Sequence, residues 1–185
     1  MSTPRRLSQA LSDGDGISLI ALVGTLDDAM AAEELGADAL AVAGGIPGLR
    51  GATTLPILWR GEQDWERARE TGADACVLFR DEVAPDDLEL VVYAADDAAI
   101  EHALGHADPE IFMLGLPLGE SSHEAGLVES VLDLLQDVPA GKLAIAELVE
   151  ATSEHVEELE RAGIDAVLVA GHDVGRLVGD EPPEV

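Results

Sequence analysis

Gly163-Ile164-Asp165-Ala166, running straight into Val167-Leu168-Val169, has two other copies in the chain. They are Gly36-Ala37-Asp38-Ala39 before Leu40-Ala41-Val42, and Gly72-Ala73-Asp74-Ala75 before Cys76-Val77-Leu78-Phe79. Each follows a stretch rich in Glu, Ala and Arg that reads as a helix. A glycine just past a helix takes the left-handed conformation that ends it. An unbroken apolar run is how a strand covered on both faces reads. A unit of helix, glycine and buried strand that recurs along a chain predicts a parallel α/β fold.

Working outward from these copies, eight strands are expected. They lie near 17–23, 39–43, 55–59, 75–79, 88–94, 111–114, 142–147 and 166–170. Helices are expected over 26–35, 62–71, 96–106, 123–135 and 152–162. Thr25 with Asp28 has capping-box spacing, Asp96 can cap the third of these helices, and Thr152 or Ser153 the last. A short helix from Asp173 closes the pattern. Gly44-Gly45-Ile46-Pro47-Gly48 and the Asp/Pro-rich stretch 81–87 carry no convincing helix.

The expectation is a compact, single-domain (β/α)8 TIM barrel over 17–180, with helices missing or shortened after strands two and four. Residues 1–16 read as a polar leading helix or loose arm, and 181–185 as a frayed tail. The rival is an open doubly wound sheet. Eight strands, and the lack of Gly-x-Gly-x-x-Gly after the first, favour the barrel.

Composition excludes some functions. The 185 residues carry 38 Asp+Glu against 10 Lys+Arg, a net charge of −28, and the only lysine is Lys142. Binding to nucleic acid or to an anionic membrane needs basic patches, so neither partner is expected. An acidic surface with Arg over Lys and few aromatics is the pattern of a halophile, where charge serves solubility. The one cysteine, Cys76, lies in an apolar strand and should be inert. No apolar run reaches the length of a membrane span and no secretory signal is evident, so a cytoplasmic protein is expected.

Strands three to eight resemble indole-3-glycerol phosphate synthase, a phosphate-binding barrel of tryptophan biosynthesis. The resemblance rests on Leu55-Pro56-Ile57-Leu58-Trp59-Arg60, on Ala68 to Phe79, on Leu88-Glu89-Leu90-Val91-Val92-Tyr93 and on Ile145-Ala146-Glu147 through Val169. It implies the barrel fold and a phosphate-binding mouth. It also implies lost chemistry. Leu22-Val23-Gly24 stands where the family has Glu-x-Lys. Arg60 matches the family's acid lysine, and an arginine does not release a proton near neutral pH. Tyr93 matches a glutamate, Met113-Leu114-Gly115 covers an asparagine, and Glu147-Leu148-Val149 keeps only the glutamate of Glu-Ser-Gly. Ala170, with Gly171 next, matches the glycine that faces the phosphate.

Barrel enzymes work at the C-terminal ends of their strands. Arg50, Arg60 and Arg80 follow three successive strands and could form a pocket for a phosphate or carboxylate. The plainer alternative is that each pairs with a nearby carboxylate. Glu147 and His172, at the ends of adjacent strands, could act as an acid–base pair, could bind a metal with Glu150 or His123, or could lie on a polar rim. Gly171 is a candidate phosphate contact. His102, His106 and His155 read as solvated helix residues, Ser121-Ser122-His123 as a helix cap, and Trp59 as core or rim. No metal and no cofactor are expected.

The expected function is a diverged relative of that synthase, binding a small phosphorylated anion or a protein partner. The alternative is a lyase or isomerase on a phosphorylated compound, with Glu147 and His172 moving protons and Arg60 clamping the anion. A third is a subunit of a homo-oligomer or other assembly, its missing-helix faces covered by a partner.

Overall fold

A computed structural model describes residues 5–80, 83–117, 124–148 and 150–178. The strands are β1 (Ser18–Val23), β2 (Ala39–Val42), β3 (Ile57–Trp59), β4 (Ala75–Leu78), β5 (Glu89–Ala94), β6 (Ile111–Leu114), β7 (Leu143–Glu147) and β8 (Ala166–Ala170). All pair in parallel with their neighbours in sequence, and β8 returns to β1, closing an eight-stranded barrel. The expected (β/α)8 architecture is therefore the observed one.

The helices are α1 (Arg6–Asp13), α2 (Leu26–Glu34), α3 (Leu49–Ala52), α4 (Trp65–Thr71), α5 (Asp97–His106), α6 (Glu124–Leu135), α7 (Ser153–Ala162) and α8 (Val174–Leu177). Thr25, Asp96 and Thr152 cap α2, α5 and α7 by accepting backbone N–H bonds three residues on. The connection after β2 keeps one turn of helix, and none is seen between β4 and β5 among the described residues. Asp81, Val149 and the Ser121-Ser122-His123 stretch lie outside the described residues, as does 181–185.

Side chains alternate along each strand. One set, including Ile20, Ala41, Leu58, Val77, Val91, Met113, Ile145 and Leu168, fills the barrel. The other packs outward against the helices, with Trp59, Phe112, Leu114 and Cys76 fully buried there. Trp59 is thus core, its Nε1 donating to the Glu62 carbonyl at 2.8 Å.

The aspartates of the three repeats have one shared task. Asp38, Asp74 and Asp165 stand at the lower ends of β2, β4 and β8. Each donates its own N–H to the carbonyl of a residue on the preceding strand and accepts that residue's N–H on its carboxylate. The partners are Leu19, Ile57 and Ala144. Two bonds to one residue lock strand register at the N-terminal face, where barrels concentrate stability and not catalysis.

The leading segment is a helix that plugs this lower end. Leu7 and Leu11 of α1 are buried against the barrel interior. Burial of two leucines contributes roughly 3–6 kcal/mol. The buried Glu89 carboxylate, at the start of β5, accepts the Leu7 and Ser8 N–H bonds at 3.0 and 3.2 Å. Arg6 donates to Asp74 at 2.8 Å and to the Thr54 carbonyl at 2.7 Å.

Candidate functional site

The upper ends of the strands form the candidate site. In β3, inward Leu58 is followed two residues later by Arg60. In β4, inward Val77 is followed by Phe79, and in β7, inward Ile145 by Glu147. The period of two therefore directs Arg60, Phe79 and Glu147 into one layer at the mouth. Tyr93, from β5, stands beside Phe79.

Arg60 Nη2 forms an ion pair with Glu147 Oε1 across the mouth, with side chains only 23% and 18% exposed. The Arg60 guanidinium also sits over the Phe79 ring, 5.4 Å from its centroid, a cation–π distance. Phe79 and Tyr93 are tilted against each other at 5.2 Å. The Tyr93 hydroxyl donates to the Leu116 carbonyl at 2.5 Å. Burial, and then the nearby Glu147 charge, push the Tyr93 hydroxyl up to about 12, so it remains a donor. Gly115 is required beside it, because a Cβ there would lie 2.4 Å from the hydroxyl oxygen.

Burial raises the Glu147 carboxyl above the ordinary range, and the Arg60 charge opposes this only in part. A carboxyl that binds its proton more tightly in the folded state lowers stability as pH rises through the window between its ordinary and its folded value. Above that window the cost is constant. Glu147→Gln is expected to remove this component. The difference in urea midpoint between wild type and variant should change across the window just above the usual carboxylate range and be flat beyond it. A difference independent of pH from 4 upward would show that Glu147 titrates normally.

The three arginines go to three places. Arg60 alone enters the mouth. Arg50 lies at the opposite, lower end of the barrel, donating to Asp74 at 2.9 Å and to the Thr53 and Leu55 carbonyls at 2.7 and 2.8 Å. The expected three-arginine pocket is not formed. The reason is length: with one turn of helix after β2, Arg50 falls where the chain has already returned to the lower face. Arg80 is exposed and lines a groove of about 1010 Å³ on the outside of the barrel. This groove lies where a helix would follow β4, walled by Leu78, Val92, Ala99 and Ala103.

The structure does not pair Glu147 with His172. Glu147 faces Arg60, whereas the His172 side chain is 83% exposed, with Asp173 3.7 Å away. The strand has ended at Ala170, and a 3-10 turn over Gly171–Asp173 breaks the alternation that would have turned His172 inward. Gly171 lies close to the end of β1, since a Cβ there would stand 3.1 Å from the Leu22 carbonyl oxygen. Glu150 is exposed. Among the described residues no group of three or more His, Cys, Asp or Glu is gathered for a metal, and no helix is long and apolar enough to cross a membrane. The sequence reading missed Phe79, although its parity with Ala75 and Val77 carried the signal.

No protein-family profile matches the chain. It resembles the indole-3-glycerol phosphate synthase of Variovorax paradoxus (strain S110), 29% identical, over 90% of this chain and 65% of that protein. The chain thus spans about two thirds of that relative's length. Among solved structures it is similar in fold to the N-acetylmannosamine-6-phosphate 2-epimerase from Clostridium perfringens. The TM-score is 0.63 at 15% identity, covering 87% of this chain and 88% of that one.

Proposed function

We propose that this barrel binds a small anion, most simply a phosphorylated metabolite, at its mouth through Arg60, and no longer performs the synthase reaction it resembles. The observation that carries the reading is the state of Arg60. Among the described residues, its Nε is buried without a hydrogen-bond partner. A buried orphan donor costs roughly 1–3 kcal/mol, so its retention calls for an explanation. A phosphate or carboxylate would satisfy Nε and the neighbouring guanidinium nitrogens together. Glu147 occupies Arg60 in the absence of such an anion and would be displaced by it. Arg60 stands where the synthase family has its acid lysine, which removes the proton donor for ring closure. Arg80 lines the outer groove, which it shares with Phe79 and Tyr93.

The test is a thermal-shift screen in molar KCl against phosphorylated metabolites, indole and anthranilate compounds among them. A ligand at a hundred times its Kd stabilises the native state by about 2.7 kcal/mol. The expected result is a shift that disappears in Arg60→Ala. Undiminished affinity in that variant would sink the mouth site, and turnover of the synthase substrate would sink the loss of activity. The same measurements read salt adaptation, part of this proposal: the ligand-free melting temperature should rise with KCl as repulsion among the carboxylates is screened.

The raised Glu147 carboxyl favours a second reading, a lyase or isomerase in which Glu147 moves a proton without His172. Glu147→Gln separates the two, since it keeps binding under the first reading and abolishes turnover under the second.

A further inference from the structure

His102 and His106 are four residues apart on α5, so both project from one face of the helix. Their rings are stacked, with centroids 4.0 Å apart and planes 23° from parallel. Both line the outer groove. His106 Nδ1 lies 2.9 Å from the His102 carbonyl oxygen. A carbonyl only accepts, so Nδ1 carries the hydrogen and Nε2 holds its lone pair outward. A backbone carbonyl that fixes the tautomer in this way is the usual outer support of a metal-binding histidine. We propose that α5 carries a two-histidine site for a late first-row divalent ion, Zn2+ or Ni2+, held by His106 Nε2 and a ring nitrogen of His102.

The two histidines are near enough for one ion to bridge them once a ring has turned. Two nitrogens bound tetrahedrally to one zinc at about 2.0–2.1 Å stand about 3.3 Å apart. The centroids of the stacked rings are 4.0 Å apart and their planes nearly parallel, so the ring nitrogens do not yet converge. The exposed His102 side chain must turn about its own torsions to bring one nitrogen to the ion beside His106 Nε2. The cation also lowers the protein's negative charge of 28. Imidazole nitrogen selects zinc, nickel and copper over magnesium and calcium, which take oxygen. The remaining coordination positions would hold water or an anionic group entering the groove. The histidines are on α5, while Phe79 and Tyr93 line both this groove and the mouth.

A calorimetric titration with Ni2+ and with Zn2+, in molar KCl and with about 10 mM Mg2+ to occupy carboxylate sites, tests it. The full chain should bind one equivalent. His106→Ala and His102→Ala should each weaken binding at least about tenfold, because each leaves a single arm where two had acted at high effective concentration. His155→Gln, on α7, should leave it unchanged. Ni2+ should also broaden the ring proton resonances of His102 and His106 before those of the other histidines. Affinity within about twofold of wild type in His106→Ala, or displacement of the ion by Mg2+, would overturn the site and assign the binding to surface carboxylates.

Discussion

Glu89→Ala is expected to destabilise the protein by about 4 kcal/mol and to release α1 from the barrel floor. The Glu89 carboxylate is 7% exposed and accepts the Leu7 and Ser8 amides. Removing it leaves both donors buried and unpaired, at roughly 1–3 kcal/mol each. Truncation also opens space under Leu7, which is fully buried. Glu89→Gln keeps an acceptor oxygen but loses the charge, so about half the loss is expected. Urea unfolding near neutral pH measures both, and limited proteolysis should cut within 6–13 in the alanine variant while the barrel survives. A stability within about 0.5 kcal/mol of wild type would mean that Leu7, Leu11 and the Arg6 contacts hold α1 without Glu89.

Gly72→Ala is expected to cost about 3 kcal/mol, far more than the same change at Gly163. Both glycines end helices in the left-handed region, with φ of +83° and +97°. An alanine there costs roughly 1–2 kcal/mol in either place. At Gly163 a Cβ meets nothing within 4 Å, whereas at Gly72 it would lie 2.5 Å from the Arg50 Cβ. Arg50 cannot simply swing away, because Asp74 and two carbonyls hold its guanidinium. Over-packing of this kind adds roughly 1–3 kcal/mol. Equal losses at Gly72 and Gly163 in parallel denaturant titrations would show that Arg50 relaxes freely and that only the backbone conformation matters.

Much of the architecture could be read along the chain because its causes are local. The Gly-x-Asp-Ala repeat, the caps at Thr25, Asp96 and Thr152, and the apolar strands all signal through neighbours a few residues away. The observed strands fall within one or two residues of the expected ones, with the helix after β2 shortened and none seen after β4 among the described residues, as expected. The candidate site was less legible. Strand alternation could place Arg60 and Glu147 at the mouth, but their ion pair joins β3 to β7 across the barrel. The fate of Arg50 turned on how far a shortened connection had travelled by its second helical residue. His172 lay two residues beyond the end of the strand whose alternation would have aimed it.

The sequence by itself determined the elements, their parallel order and the acidic, lysine-poor character, because these follow from periodicity, capping and composition. Only the tertiary structure decided that α1 plugs the floor, that Asp38, Asp74 and Asp165 lock strand to strand, and that Arg60 meets Glu147 over Phe79 while its Nε stays unpaired. Those contacts join residues far apart in the chain. Barrel closure sets them, since closure decides which strand ends face each other and which side chains leave water.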